Sequence, residues 1–312
     1  MSTPISRANF ADLLDPAFRK IYTDATKELS YKYQDVYNVY SSEKNLEKDS
    51  SVSGLGQLVE KPEGGTMAQD TIYQGYDVTY THKTYALKTS ITKEMVDDDQ
   101  YREIENRAKG LATAANRTTE ESGADLFINA WTAGGGGKSK FQTGGDSYAL
   151  CYASHPRSDG GTAQGNTTTM DLAEDSLEAI LIAMRATLDD RGQLMLVQPD
   201  TLLVPPALEK EARILLDSTQ RVGTANNDIN PMQGALKLVV WDFIGSAAGG
   251  SDTAFYVLDS KSHKINWFWR QQANLERDID FDTKNIEYSL DARWSNGFAD
   301  WRGIYGSKGD NS

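Results

Sequence analysis

The residues that invite a chemical reading fall in three places. Gly134 to Gly137, followed by Lys138 and Ser139, has the ending of a phosphate-cradling loop, where backbone N–H groups and a lysine surround phosphate oxygens. That loop needs a glycine five residues before its last one, and Thr132 stands there. It also needs a helix after it, whereas here a helical pattern precedes and none follows. Asp278, Asp280 and Asp282 alternate as in a calcium loop, but Thr283 and Ser289 fill the positions that require glycine and a bidentate glutamate. Cys151 and His155 are close enough in sequence for a thiol nucleophile and its base, in a glycine-rich stretch with no evident group to orient the imidazole. His82, His155 and His263 are scattered without zinc spacing. Among 45 acidic residues no pair stands out as the acid and base of sugar hydrolysis. The bland readings win: a surface turn, a strand with one wet face, an idle thiol. No catalytic residue, metal or cofactor is expected.

The elements that would position such residues are more informative. Residues 97–131 contain one proline-free run that opens on Asp97, Asp98 and Asp99, acids suited to the positive end of a helix dipole. Ile104, Ala108, Leu111, Ala115, Ser122 and Leu126 recur at the spacing of one helix face. The spacing predicts a helix of roughly 50 Å at 1.5 Å per residue, longer than a globular domain ordinarily holds. Its stripe is thin and alanine-rich, so a sheet or a neighbouring chain approaches closely, and the other segments read as its cover.

The 312 residues allow one large domain or two modest ones. A hydrophobic content of 39% supports a core, and 15 Tyr with 6 Trp favour interfaces as well. A net charge of −13 argues against a general nucleic-acid binder, because phosphate contact needs positive surface. No apolar run is long enough for a membrane helix. MSTPISRANF lacks the apolar centre of a signal peptide, and a single cysteine forbids an internal disulfide; both point to the cytoplasm.

Along the chain, residues 1–49 read as an arm. Asp15 and Pro16 look like a helix cap and first position, with Phe18, Ile21, Tyr22, Ala25 and Leu29 on one face. Tyr31, Tyr33, Tyr37 and Val39 read as a strand, and a polar stretch closes the arm. Residues 50–82 read as a long hairpin with its tip at Lys61, Pro62, Glu63, Gly64 and Gly65. The alternation of Tyr76, Val78 and Tyr80 changes phase before Tyr85, Leu87, Thr89 and Ile91, which predicts a bulge or a change of sheet near His82. Residues 133–170 carry nine glycines and read as a loop with little structure of its own. A helix from Asp171 to about Asp190 opens on a capping-box pattern. Residues 194–197, 201–204, 236–240 and 254–258 read as short strands, with a helix after Pro205 and Pro206 and a polar loop at 217–235. The best strand signal is Ile286, Tyr288, Leu290, Ala292 and Trp294. Arm, hairpin, long helix and glycine loop each carry surface that one copy cannot bury, the pattern of a subunit that tiles with copies of itself.

Particular residues sharpen this. Tyr80-Thr-His-Lys-Thr-Tyr-Ala-Leu-Lys88 and Ile91-Thr-Lys-Glu-Met-Val-Asp-Asp-Asp99 resemble the end of the extended loop and the start of the spine helix in tailed-bacteriophage major capsid proteins. Ser154-His155-Pro156, the run from Leu202 through Pro205 and Pro206 to Arg213, Trp267-Phe-Trp-Arg270 and the region from Tyr288 to Trp301 are similar to the Mu-like major head subunit group. The resemblance covers most of the chain from about residue 50. It implies an α+β HK97-type capsid fold: an N-arm at 1–49, an extended β-hairpin loop at 50–82, a peripheral domain at 83–170 and 263–312 with its spine helix at about 97–131, and an axial domain at 171–262. It implies a non-enzymatic major capsid protein that assembles into hexamers and pentamers of an icosahedral shell around packaged double-stranded DNA. The implied assembly residues are the loop tip, Lys61 to Gly65, and the axial loop at Arg221, Asn226, Asn227 and Asp228. The implied partners are copies of itself, a separate scaffolding protein (because Met1 opens directly on the arm), a portal, a decoration protein and DNA met non-specifically; there is no membrane. The implied place is the virion capsid, assembled in the host bacterial cytoplasm. No full lysine–asparagine cross-linking site matches. The competing readings are an encapsulin-like nanocompartment shell, an acidic glycoside hydrolase and a carbohydrate-binding surface protein. Native size separates shells from the last two.

Overall fold

The computed structural model describes residues 10–72, 74–98, 101–132, 145–220, 229–280, 282–283 and 285–310, with the backbone alone for 10–14, 96, 97 and 101. The long helix, α3, runs Tyr101–Ile128, about 42 Å. Its buried face is Ile104, Ala108, Leu111, Ala112, Ala124 and Phe127, and the alanines let neighbours lie close. A separate turn of helix, α2 (Lys93–Asp97), precedes it. The Gly134 to Ser139 run lies outside the described residues.

Under α3 lies a four-stranded sheet in the order β1-β9-β10-β4. Its centre is the hairpin of β9 (Ile265–Ile279) and β10 (Ile286–Phe298). The edge strand β4 (Lys83–Ile91) runs antiparallel to β10, and β1 (Asn38–Ser41) runs parallel to β9 on the other edge. Along the inner face of β10, Ile286, Tyr288, Leu290, Ala292 and Trp294 are all buried, as their alternation requires. The remaining ribbon, β2 (Leu46–Val52) with β3 (Gln74–Thr81), is antiparallel and pairs with neither sheet through backbone ladder hydrogen bonds, although the Asn266 amide of β9 donates to Asp49 of β2 at 3.3 Å. At His82 the chain passes from that ribbon into β4, so the phase change marks a change of sheet.

The second sheet has the order β5-β11-β8-β6-β7, from β5 (Thr167–Thr168), β11 (Ile304–Ser307), β8 (Phe255–Leu258), β6 (Thr201–Val204) and β7 (Lys237–Val240). Every residue of β6 and β8 is buried. They pack with α4 (Glu174–Arg185) and α5 (Glu209–Asp217) around Leu177, Ile180, Met184, Ala212 and Leu216. An aromatic cluster of Tyr33, Tyr37, Phe127, Trp241, Trp267 and Trp294 joins the two sheets. A third cluster, around Phe18, Ile104 and Tyr288, fills the other end of α3, and an open cavity of about 730 Å³ walled by Tyr85, Trp269 and Trp294 separates the two.

Several expectations are corrected. Helix α1 runs Phe10–Glu28, so Pro16 sits inside it, where its missing N–H costs one rung and no start is marked. Tyr31 to Val39 is not a strand: a 3-10 turn at Lys32–Asp35 buries Tyr33 and Tyr37 beneath the sheet, and β1 starts at Asn38. The polar stretch at the end of the arm contains β2, whose alternate exposure shows a ribbon wet on one side. Residues 194–197 form only a single bridge, Leu188 with Leu194. Helix α4 starts on Glu174, and the cap contact is made by Ser176, whose Oγ accepts the Ala173 N–H at 2.9 Å.

Candidate assembly surface

Surface that one copy leaves uncovered begins with the ribbon. Its register runs from Leu46 opposite Thr81 to Val52 opposite Gln74, with an irregularity between Ser50 and Val52. There Ser51 Oγ accepts the Tyr76 N–H at 2.7 Å, and a Cβ on Gly75 would fall 2.3 Å from that oxygen, so a larger residue there would displace the hydroxyl from this contact. Beyond this last pair, residues 53–72 contain no strand or helix. The hairpin expected over 50–82 is therefore a short ribbon, shifted toward the arm, that carries a long irregular loop. A turn forms at the expected tip residues: Gly65 N–H donates to Pro62 O at 2.9 Å, and Gly64 takes the left-handed conformation, φ +76°. Lys61, Pro62, Glu63 and Gly64 are exposed and Gly65 is half-buried.

Apolar exposure is concentrated on this loop. Leu58, Val59 and Met67 are 102%, 70% and 82% exposed, and Leu55 and Ile72 are exposed as well. Each such side chain covered by another surface is worth about 1.5–3 kcal/mol, and a monomer that ends its life alone rarely keeps so many on one segment.

The other implied assembly residues, Arg221, Asn226, Asn227 and Asp228, lie outside the described residues. The stem that carries them is built: Gln220 bridges Ile229, and the Asn230 amide donates to Leu215 O at 2.8 Å and Ser218 O at 2.9 Å, closing the end of α5.

The chemical candidates resolve into structural roles. Cys151 is fully buried, and burial alone pushes its thiol far up, so no thiolate is available. His155 does have an orienting acid, which the sequence did not reveal: Nδ1 lies 2.6 Å from Asp146 Oδ2, and Nε2 lies 3.2 Å from Asn166 Oδ1. Its ring stacks on Trp301 at 4.5 Å. Asn166 in turn donates to Leu150 O and Ile304 O and accepts the Tyr152 N–H. Residues 145–168 are thus no loose loop. Side-chain amides satisfy their backbone and pin them to the β10–β11 connection, and only Ser154-His155-Pro156 hinted at it. Asp280 accepts the Asp282 N–H and the Thr283 hydroxyl, which makes the alternating acids a hairpin turn. Among the described residues no cluster of His, Cys, Asp or Glu is arranged to hold a metal.

Sequence reasoning also missed Glu120, on the inner face of α3. It is 2% exposed, accepting Trp241 Nε1–H at 2.5 Å and the Tyr33 N–H at 3.4 Å. Burial raises its pKa against the pull of those donors. One carboxyl thereby ties α3, the arm and the second sheet together.

A loop of exposed apolar residues, a long helix spanning a sheet and an independent second sheet together describe a tile. The family model for phage capsid protein matches residues 75–307. The chain belongs to that family. It is a phage capsid protein, a structural subunit that associates with copies of itself into the shell of a bacteriophage virion. Similar solved structures include a chain of Microbacterium phage Oxtober96, at 11% identity and TM-score 0.52, covering 90% of this subunit and 91% of that chain. The procapsid of bacteriophage JBD30 matches at 14% and 0.53, over 99% of this chain and 77% of that one. The capsid of an empty GTA particle matches at 12% and 0.53, over 90% of each. At such identities the likeness speaks for the fold, which is HK97-type. No curated protein matches the sequence. No described helix is long and apolar enough to cross a membrane.

Proposed function

We propose that this capsid subunit forms the hexamers and pentamers of a phage head around packaged double-stranded DNA, as the Mu-like major head subunits do, and carries out no catalysis of its own. The division of labour follows the resemblance: an arm at 1–49, an extended loop at 50–82, a peripheral domain at 83–170 and 263–312, and an axial domain at 171–262. The tip, Lys61 to Gly65, reaches a neighbouring copy, and Arg221, Asn226, Asn227 and Asp228 face the capsomer centre. A separate scaffolding protein, a portal and a decoration protein complete the head, which assembles in the host cytoplasm. The exposure of Leu58, Val59 and Met67 on a loop beyond the ribbon is the observation that carries this reading, because only another copy in a closed arrangement covers every such loop at once. Sedimentation and negative-stain imaging of the expressed protein, alone and with its scaffold, test it. Capsomers or closed shells of megadalton mass are expected; a stable monomer or dimer under all such conditions refutes it.

A further inference from the structure

Beyond the ribbon, the extended loop is tied at one neck, and both of its sides meet there. The Asp70 carboxylate accepts the Gly56 N–H of the outgoing side at 2.6 Å and the Thr71 N–H of the returning side at 2.8 Å. The same carboxylate takes Arg191 Nη1 at 2.6 Å, while Arg191 Nη2 donates to the Thr71 carbonyl. Among the described residues, the hydrogen bonds that join residues 54–72 to the rest of the chain come from Arg191. Gly56 makes room for the contact, since a Cβ there would stand 3.1 Å from Asp70 Oδ2 and 3.2 Å from Arg191 Nη1.

Arg191 is presented from a prepared base. Asp189 Oδ1 accepts the N–H groups of Arg191 and Gln193, both at 2.8 Å, and Gly192 turns the chain at φ +77°. Next to it, Asp190 takes the buried Arg302 guanidinium at 2.9 Å, and Arg302 Nε donates to Leu188 O at 3.1 Å. The turn is therefore moored to the body of the subunit, and the loop is moored to the turn.

We propose that Asp70 and Arg191 are positioning residues for assembly: their clasp sets the angle at which residues 57–69 leave the subunit. This rests on the assembly reading above. A lone exposed ion pair contributes little. Here one carboxylate gathers three donors and one guanidinium makes two ties, the charge-assisted geometry that holds a direction. The Gly56 N–H first, and the Arg191 guanidinium next, hold the Asp70 carboxyl below its ordinary range. About six residues run out to the tip on each side, a lever of ~20 Å when extended. A small change of angle at the neck moves the tip by several ångströms. A loop held at one angle has less freedom to lose when it docks, which is how a clasp favours association without touching the partner.

The test places a fluorophore on the tip through Glu63→Cys; buried Cys151 does not compete for the label. Time-resolved anisotropy then reads loop mobility in the free subunit. Asp70→Ala and Arg191→Ala are expected to release the probe into fast, wide motion with the melting temperature unchanged. Arg191→Lys, which keeps the charge and loses one tie, is expected between them and wild type, and Arg213→Ala, which breaks an exposed ion pair on α5, is expected to match wild type. Without the label, shell yield of the two alanine variants should fall about five-fold or more, the factor that ~1 kcal/mol represents. If Arg191→Ala lowers the melting temperature, Asp70→Ala on the loop side carries the comparison. Unchanged probe motion in the alanine variants overturns the clasp. A freed loop with normal shell yield overturns its role in assembly. Absence of shells from wild type itself refutes the assembly reading and the positioning role together, while the anisotropy still decides whether the clasp exists.

Discussion

Glu120 carries more of the architecture than its place on a helix face implies. Removing its carboxyl leaves the fully buried Trp241 Nε1–H without an acceptor, and an orphaned buried donor costs about 1–3 kcal/mol. Glu120→Ala should lower the unfolding free energy of the unassembled subunit by about 2 kcal/mol in urea denaturation. Glu120→Gln should cost less, because the amide oxygen keeps one of the two donors. An alanine effect under about 0.5 kcal/mol would remove Glu120 from the joint. His263 sets a pH dependence. Its Nδ1 accepts the Ile265 N–H at 3.3 Å, and burial lowers its pKa, so the folded ring is neutral where the unfolded ring, titrating near 6.5, still takes a proton. Asp259 and Asp200 oppose the shift without reversing it. The stability this gives is complete above that unfolded value and is lost as pH falls through the lowered folded one. Burial acts on His82 in the same direction. Wild-type unfolding free energy should therefore decline between pH 7 and pH 5, and His263→Gln should show a shallower decline. Parallel declines would mean that His263 does not contribute.

Among the elements, the ribbon and its loop behave unlike the rest. Helices α1 and α3 cover the first sheet, α4 and α5 cover the second, and each buries a stripe of its own chain. An isolated two-stranded ribbon is marginal in water, and this one has a wet outer face and a tip far from any core. Replacing Pro62 to Gly65 by a two-residue turn should leave circular dichroism and melting of the free subunit within the small range of surface changes, under about 0.5 kcal/mol. On the proposal that the tip contacts a neighbouring copy, shell formation should fall sharply. Sedimentation of variant against wild type gives the comparison: normal shell yield would show that the tip takes no part in assembly, and an unfolded subunit would place the tip in the core.

Taken as one body, the subunit is acidic, with a net charge of −13, and the DNA proposed to fill its shell is more acidic still. Contact with DNA should accordingly be weak and indifferent to sequence, since counterion release needs cations at the surface. A gel shift with the isolated subunit at physiological salt should show no nanomolar or sequence-selective complex; such a complex would overturn this. The same charge keeps unassembled subunits apart, so association should strengthen as salt screens them.

The amino-acid order alone determined the long helix, because proline-free spacing of Ile104, Ala108 and Leu111 is a local property. It determined the β10 face and the turn at Pro62 to Gly65 for the same reason: period, glycine and proline act over a few residues. The relation to phage capsid proteins was legible in short runs such as that from Tyr80 to Lys88. What tertiary structure decided is whatever depends on partners far apart in sequence. The Tyr31 to Val39 alternation looks like a strand until Trp267 packs on the rings of Tyr33 and Tyr37, and Glu120 accepts the Tyr33 N–H on a 3-10 turn. The glycine-rich stretch looks slack until Asp146, Asn166 and Trp301 close around His155. Asp70 and Arg191 stand 121 residues apart and carry no local signal, yet they meet, because folding brings the turn after α4 beneath the loop. Local periodicity fixes an element's kind, and only packing chooses which distant side chains become its partners.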